Sequence, residues 1–181
     1  MPFHTERLTM RPVAPGDVDS FYRIYSDPDT HRFNPAGPLG SLKEAQVRMD
    51  NWLSHWQQRG FGNMAIALRN APDEVIGYGG LSVREFAGRP VNNLGYRFAT
   101  HAWGQGLATE FARFAVRYGF EICLLAGIDA AVRQHHLASQ RVLQKAGLKQ
   151  CGEVQDVPDA PASLMFHISR AMWLASQDTP Q

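Results

Sequence analysis

The amino-acid sequence predicts an α/β (α+β) fold, in which helices cover both faces of one mixed β-sheet. Two observations carry this prediction. Segments that alternate apolar and polar residues are interspersed with segments of helical periodicity, and the predicted order of elements is β-α-α-β-β-β-α-β-α-β-β. The chain has 181 residues, enough to bury a core of its own, and we expect a single domain over residues 1–181.

The first part of the chain predicts one strand and two helices. Leu8–Pro12 alternates apolar and polar residues, and a helix with one apolar face opens at Pro15. Prolines and glycines interrupt the segment 26–40, which indicates a loop. Ser41 followed by Glu44 is a capping box that predicts a second helix. The apolar residues behind it recur at helical spacing: Ala45, Met49, Trp52, Leu53 and Trp56.

The rest of the chain predicts an antiparallel meander and then alternating helices and strands. The meander has three strands, at 64–68, 75–83 and 92–98, joined by a turn over 70–73 and a connection over 86–90. Two helices are predicted, at 106–118 and 137–146. Three further strands are predicted, at 127–132, 148–154 and 163–173. This succession predicts a sheet that is extended on both sides of the meander.

The composition is that of an ordinary folded protein: 44% of the residues are hydrophobic, 19% are charged, and the formal net charge is +1. A charge near zero gives no electrostatic footprint for nucleic acid or an anionic membrane surface, so we expect neither partner. No apolar run has the length of a membrane span, and residues 1–9 lack the apolar core of a signal peptide. We therefore expect a cytoplasmic protein; monomer and homodimer both remain open.

The two cysteines, Cys123 and Cys151, have no His or Cys at metal-ligand spacing, so we expect no metal site. In a reducing compartment we expect two free, buried thiols. A disulfide between the two cysteines is the alternative.

One glycine-containing segment indicates a binding function. Residues 103–110 (WGQGLATE) follow a predicted strand and open a predicted helix. Helix N-termini present unpaired N–H groups and a positive dipole, so an anion fits there. Gly104, Gly106 and the small Ala108 let a phosphate approach the main chain, and a pyrophosphate is the natural ligand. A purely steric role for the glycines in a tight turn is the alternative.

Two other nucleotide motifs do not fit this stretch. A P-loop has Lys and then Ser or Thr after its last glycine, whereas Leu107 and Ala108 follow Gly106 here. A dinucleotide fingerprint belongs at the start of a βαβ unit, whereas these glycines come after three meander strands.

Residues 103–110 resemble the acetyl-CoA pyrophosphate loop of the GNAT superfamily, in its RimJ/RimL-type (ribosomal-protein N-terminal acetyltransferase-like) branch. The resemblance covers nearly the whole chain. Four further segments resemble that branch in the right order: 5–12 (TERLTMRP), 75–81 (VIGYGGL), 94–98 (LGYRF) and 136–148 (HLASQRVLQKAGL).

The resemblance implies an acetyl-CoA-dependent N-acetyltransferase with a mixed, mostly antiparallel sheet. It also implies a central pair of strands, at 92–98 and 127–132, that splay apart to admit the pantetheine. Main-chain groups near Phe98 and Ala99 would pair with the pantetheine amides, and the amides from Gly104 to Thr109 would hold the phosphates. The implied cofactor-binding residues are Phe98, Ala99, Trp103, Gly104, Gln105, Gly106, Leu107, Ala108, Thr109, His136 and Ser139.

Three positions depart from the family's pattern. The loop usually starts with Arg or Gln, and Trp103 stands there, as expected for this branch. His136 stands where relatives usually carry an Asn near the cofactor thiol; His can donate one hydrogen bond in its place. Asn93 stands where many relatives carry a Glu that serves as general base. The base is therefore open, with Glu85, Asp129 and His135 as candidates.

The resemblance implies Ser139 as the catalytic residue that protonates the departing thiolate. The alternative is a Ser inside a helix that bonds back to a carbonyl one turn earlier.

The acceptor is expected to be an amine, either a protein N-terminus or a small molecule. A CoA-binding module without catalysis is the competing hypothesis. The acceptor loops would be 26–40 and 153–162, where four carboxylates could attract a cationic amine: Asp27, Asp29, Asp156 and Asp159. Solvated carboxylates in surface loops are the favoured alternative.

Overall fold

The structure, a computed structural model, describes residues 1–178, which form one eight-stranded sheet flanked by five α-helices. The strands are β1 (Phe3–His4), β2 (Leu8–Pro12), β3 (Asn63–Leu68), β4 (Ala71–Phe86), β5 (Arg89–Phe98), β6 (Gly127–Val132), β7 (Lys149–Val154) and β8 (Ser163–Ser169). The helices are α1 (Val18–Tyr25), α2 (Leu42–Arg59), α3 (Leu107–Glu121), α4 (Leu137–Lys145) and α5 (Arg170–Gln177). The strand order across the sheet is β1-β2-β3-β4-β5-β6-β8-β7.

The sheet is antiparallel except at its centre. There β5 and β6 run parallel and share one bridged pair, Asn93 and Asp129, before they diverge. Strands β4 and β5 are paired along the whole of β5, and β6 is paired with β8 over its full length. This confirms the predicted mixed sheet and the splayed central strand pair, and the widening between β5 and β6 is the main feature that positions the site.

Apolar side chains fill a core on each face of the sheet. On one face, α3 and α4 pack on the sheet around Phe111, Phe120 and Phe166, none of which is exposed to solvent. On the other face, α1 and α2 pack around Phe21 and Tyr78. Burial of this apolar area is the main force that holds the helices on the sheet, at about 25 cal/mol per Å². Helices therefore lie on both faces, as predicted.

The N-cap predicted at Ser41 is present, but Glu44 does not complete the predicted capping box, because its carboxylate bonds Gly40 rather than Ser41. The hydroxyl of Ser41 accepts the N–H of Glu44 at 3.2 Å, while the carboxylate of Glu44 accepts the N–H of Gly40 at 2.9 Å. These bonds pair donors at the start of the helix that have no intrahelical partner. Gly60 ends the helix in the left-handed conformation, with φ of 74°.

Three details of the predicted elements were wrong. Strand β1 was not predicted; its two residues pair with β2. The turn lies at residues 69–70 rather than 70–73, so β4 already begins at Ala71. The last strand ends at Ser169 rather than continuing to 173, because the Ser169 hydroxyl accepts the N–H of Met172 at 3.1 Å and starts α5.

Both cysteines are free, as expected, but only partly buried: Cys123 is half-buried and Cys151 is exposed. The expectation of a buried Cys151 was wrong, because β7 is an edge strand whose outer residues face solvent. Within residues 1–178, no cluster of His, Cys, Asp and Glu is suited to hold a metal ion. None of the helices in that part of the chain is long and apolar enough to cross a membrane.

Candidate active site

The glycine loop, residues 103–106, connects the end of β5 to α3 through a short 3₁₀ turn at Thr100–Ala102. Gly104 and Gly106 have φ of 73° and 77°, a left-handed conformation that glycine adopts without a steric penalty. Gly106 is the N-cap residue of α3, and no side chain within residues 1–178 caps this helix. The N–H groups of its first turn are therefore left for an anionic ligand, as the sequence motif predicts.

The side chains of this segment contribute unequally to its surface. Leu107 is 2% exposed and belongs to the core, so only its main chain can face a ligand. Ala108 and Thr109 are partly exposed, and residues 103–106 are exposed. The indole N–H of Trp103 donates to the main-chain oxygen of Phe98 at 3.0 Å, and the amide of Gln105 donates to the oxygen of His101 at 3.0 Å. These two hydrogen bonds stabilise the conformation of the loop by tying its side chains to the main chain just before it.

The gap between β5 and β6 exposes main-chain groups of β5. The N–H of Ala99 donates to the oxygen of Ile76 in β4 at 2.8 Å, so this amide is engaged within the sheet. Because Phe98 is paired with Gly77 and main-chain groups alternate along a strand, the N–H and C=O of Phe98 and Tyr96 point toward the gap. The gap is thus lined by a strand edge of the kind that an extended amide ligand can pair with. Tyr96 was not named as a site residue from the sequence.

Ser139, in the first turn of α4, meets Tyr96 across this gap. Their hydroxyl oxygens are 3.0 Å apart, and the Tyr96 hydroxyl also lies 3.5 Å from the main-chain oxygen of Ser139. Burial raises the pKa of Tyr96 to about 12, so the phenol is neutral at physiological pH and can donate a proton. The hydroxyl of Ser139 therefore has a tyrosine as its partner, rather than the carbonyl one turn earlier.

His136 is the N-cap residue of α4, and its side chain makes no capping hydrogen bond. Its ring stacks on Phe33, with ring centroids 4.3 Å apart and an interplanar angle of 15°. Burial and the positive charge of Arg97 lower the pKa of His136, so the ring is neutral at pH 7. Phe33 lies in the loop between α1 and α2, and this stack joins that loop to α4 beside the gap.

The pairing of β6 with β8 places a histidine next to the bridged pair of β5 and β6, on the face of the sheet that α1 and α2 cover. Ile128 and Ala130 are buried on the α3 face, so Asp129 between them points to the opposite face. There Nδ1 of His167 lies 2.9 Å from Oδ1 of Asp129. Because a carboxylate only accepts, Nδ1 carries the proton and Nε2 is the basic nitrogen.

Of the three candidates for the general base, the structure brings one to the junction of β5 and β6. Asp129 is there, beside the buried Asn93. Glu85 is exposed near the far end of β4, opposite Pro90, and His135 is exposed in the loop before α4. His167 was missed from the sequence, because only the pairing of β6 with β8 reveals its neighbour.

Two loops border the gap on this face, and most of their acidic side chains already have partners. The carboxylate of Asp27 accepts the N–H of Asp29. The carboxylate of Asp29 forms an ion pair with Arg32, with Oδ1 3.8 Å from Nη2. Asp156 lies 3.6 Å from Arg133, and Asp159 is exposed. Asp27 therefore caps a helical turn, and Asp29 and Asp156 form ion pairs, so these three carboxylates have structural roles.

The loop between α1 and α2 also covers Arg97. One guanidinium nitrogen of Arg97 donates to the main-chain oxygen of Thr30, and the group stacks 5.0 Å from the ring centroid of Tyr25. The neighbouring His31 is 5% exposed, and burial and the charge of Arg97 lower its pKa to about 4. This part of the wall therefore carries the positive charge of Arg97 and the neutral ring of His31.

The site thus combines a glycine loop at an uncapped helix N-terminus with a widening between two parallel strands. The family model described as "Acetyltransferase (GNAT) domain" matches residues 7–149. The chain therefore belongs to the GNAT acetyltransferase family.

Individual relatives agree with this assignment. The chain is 28% identical over 165 residues to the "Uncharacterized N-acetyltransferase p20" of Bacillus licheniformis, with 90% of each chain covered. Among solved structures, it resembles AAC(6')-Ib in complex with paromomycin and acetyl-CoA, with a TM-score of 0.78, 18% identity and coverage of 97% and 100%. It also resembles the ribosomal-protein-S5-alanine acetyltransferase of Vibrio fischeri, with a TM-score of 0.74, 16% identity and coverage of 96% and 98%. At these identities the two structural likenesses show the fold.

The position of His136 makes a prediction about cofactor binding. If its neutral ring replaces the family's Asn as a single donor, His136→Asn should keep acetyl-CoA affinity within about tenfold, or 1.4 kcal/mol. Because its pKa is lowered, the neutral form is lost only as pH falls below about 6.5, the ordinary value for His. His136→Asn should therefore remove any change in affinity that the wild type shows below that pH, and the two profiles should run parallel above it. Calorimetry at several pH values measures this; identical profiles throughout would show that His136 does not touch the cofactor.

Proposed function

We propose that this protein is an acetyl-CoA-dependent N-acetyltransferase that moves an acetyl group directly to an amine in a ternary complex. The observation that carries the proposal is the gap between β5 and β6, flanked by the uncapped N-termini of α3 and α4. In this proposal the glycine loop receives the diphosphate of acetyl-CoA and the gap between β5 and β6 receives the pantetheine. The thioester then lies at the hydroxyl pair of Ser139 and Tyr96.

Each part of the site has a role in this proposal. The amides from Gly104 to Thr109 hold the diphosphate with the dipole of α3. Main-chain groups of Phe98 and Tyr96 pair with the pantetheine amides, and Ala99 and Trp103 support that edge. Gln105 shapes the loop through its bond to His101, and His136 lies beside the thiol end of the cofactor. The first turn of α3, including Leu107 and Ala108, contributes main-chain amides only.

The chemistry needs a proton donor for the leaving group. As the amine nitrogen bonds to the acetyl carbon, the carbon–sulfur bond breaks and the sulfur takes a proton from the Ser139 hydroxyl. Ser139 is proposed as the catalytic residue, and the neutral Tyr96 phenol 3.0 Å away replaces its proton. General acid help of this kind is typically worth about 10²–10⁴-fold, and less for a good leaving group such as a CoA thiol.

The attacking amine must also lose a proton. Asn93 occupies the position at which relatives carry a carboxylate, so the base has to come from elsewhere. The Asp129–His167 pair, on the face covered by α1 and α2, is the best-placed candidate, because the carboxylate fixes the ring and leaves Nε2 free to accept. Either His167 or a water molecule in contact with it would receive the proton.

The acceptor is proposed to be a protein N-terminus, in keeping with the RimJ/RimL-type branch that the sequence resembles. A small-molecule amine is the second candidate; AAC(6')-Ib, a structural neighbour, was crystallised with an aminoglycoside. A catalytically impaired acyl-CoA-binding module is the third, favoured by Asn93 and His136.

One experiment separates the three candidates. Thiol release from acetyl-CoA is measured with a panel of amines: peptides with a free N-terminus, the same peptides with a blocked N-terminus, polyamines and aminoglycosides. We expect release that requires the free peptide N-terminus. Release with a small amine alone would contradict the protein acceptor, and acetyl-CoA binding with no release across the panel would leave only the impaired module.

A further inference from the structure

Arg7, immediately before β2, reaches across the molecule to the glycine loop. Its Nη1 donates to the main-chain oxygen of Gln105 at 2.7 Å, and its Nε donates to Oε2 of Glu110 at 2.7 Å. The main-chain N–H of Arg7 donates to Oε1 of Glu110 at 2.8 Å, and the hydroxyl of Thr5 donates to the same oxygen at 2.6 Å. One side chain from the N-terminal segment thus holds both the loop and the first turn of α3.

The bond to Gln105 fixes the orientation of one peptide group. The carbonyl of Gln105 and the N–H of Gly106 belong to the same peptide, which is trans like all others in the described chain. In a trans peptide these two groups point in opposite directions. While Arg7 holds the carbonyl, the N–H of Gly106 therefore points away from Arg7, and no acceptor within residues 1–178 receives it. It joins the N–H groups of the first turn of α3, which begins its intrahelical bonds at Glu110.

The second effect of Arg7 is electrostatic. Glu110 places a carboxylate in the first turn of α3, and its charge would repel a diphosphate bound at the same helix end. Burial alone would raise the pKa of Glu110, but the hydrogen bonds from Thr5 and from the amide and guanidinium of Arg7 lower it below its ordinary value. The carboxylate is therefore ionised at neutral pH, and the guanidinium of Arg7 compensates its charge.

The guanidinium has the geometry that both tasks require. Its fixed planar fork can hold a carbonyl and a carboxylate at the same time, whereas a lysine ammonium is a single flexible point charge. The third nitrogen of the guanidinium, Nη2, also lies next to the loop: it is 3.5 Å from the position that a Cβ on Gly106 would occupy. The two arginines on α3 have different partners: Arg113 donates to the main-chain oxygen of Lys145, and Arg117 lies 3.9 Å from Glu121.

We propose that Arg7 is a positioning residue of the diphosphate site: it turns the Gln105–Gly106 peptide so that the Gly106 N–H faces the ligand, and it neutralises Glu110 at the same helix end. This inference rests on the proposed binding of acetyl-CoA at the glycine loop. It extends the site to the N-terminal segment, which makes the loop conformation dependent on the position of β2.

The test compares CoA with pantetheine, which has the same amide chain and no diphosphate. Calorimetry measures CoA binding, and ligand-observed NMR measures the weaker binding of pantetheine. For Arg7→Gln we expect the Kd of CoA to rise about 10- to 100-fold and the Kd of pantetheine to change less than about twofold. For Arg7→Lys, which keeps the charge and loses the fork, we expect a loss of CoA affinity close to that of Arg7→Gln.

Arg113→Gln is the control, because Arg113 likewise donates to a main-chain oxygen, that of Lys145 at 3.1 Å, away from the glycine loop, and should leave CoA affinity unchanged. Unchanged CoA binding in Arg7→Gln would overturn the inference, as would an equal loss of CoA and pantetheine. Wild-type affinity in Arg7→Lys would overturn the positioning role, since charge alone would then suffice. Failure of the wild-type protein to bind CoA would instead contradict the proposed function.

Discussion

Replacing Gly106 by valine is expected to lower CoA affinity by about 10- to 100-fold, or 1.4–2.8 kcal/mol. Gly106 has φ of 77°, where a β-branched residue is strained by about 1–3 kcal/mol. A Cβ at this position would make only an ordinary contact, 3.5 Å from the guanidinium of Arg7. The protein itself therefore has room for a Cβ, and we attribute the expected loss of affinity to the altered peptide, whose N–H faces the proposed ligand. Calorimetry with CoA measures the effect.

Gly88→Val is the matched control for backbone strain. Gly88 lies in the hairpin between β4 and β5, with φ of 76° and open space around its Cα. The two variants should lose similar amounts of stability in chemical denaturation, and only Gly106→Val should lose CoA affinity. A folded Gly106→Val protein that binds CoA as the wild type does would remove the glycine loop from the cofactor site.

The sequence predicted those parts of the molecule that depend on local signals. The loop at 103–106, the N-cap at Ser41 and the helical faces follow from spacings of a few residues, and the structure has each of them. The last strand was extended too far, although the apolar alternation of Leu164, Phe166 and Ile168 already breaks at Arg170. The cap at Ser169 decided that boundary, and a single serine is a weak signal.

Contacts between distant segments could not be predicted from the sequence. Tyr96 meets Ser139 only because β5 and α4 flank the same gap, and Asp129 meets His167 only because β6 pairs with β8 in one particular register. Arg7 and Glu110 are both visible in the motifs that carry the family resemblance, yet neither motif shows that they form an ion pair. The candidate site therefore divides into a loop that the sequence predicts and a set of pairs that only the fold brings together.

Replacing Ser139 by alanine is expected to lower kcat and kcat/KM together, by about 10- to 100-fold. A proton donated to the departing sulfur matters in the transition state and little in the ground state, so acetyl-CoA affinity should remain nearly intact. The figure is at the low end for general acid catalysis, because a CoA thiol leaves readily and the Tyr96 hydroxyl remains nearby. Steady-state kinetics measures the rates, with the amine that supports the fastest thiol release as acceptor.

A structural role for Ser139 predicts something different, and a control within the same chain separates the two. The hydroxyl of Ser20 lies 2.5 Å from the hydroxyl of Tyr78, another buried tyrosine, outside the proposed site. Ser20, whose hydroxyl also donates to the main-chain oxygen of Asp17, and Ser139 should each lose about 0.5–1.5 kcal/mol of stability per hydrogen bond when replaced by alanine, and only Ser139→Ala should lose turnover. Ser139→Cys keeps a weak proton donor of similar size, so partial rescue of kcat would support the acid role. Wild-type kcat in a folded Ser139→Ala protein would exclude Ser139 from the mechanism and leave protonation of the thiolate to Tyr96 or to water.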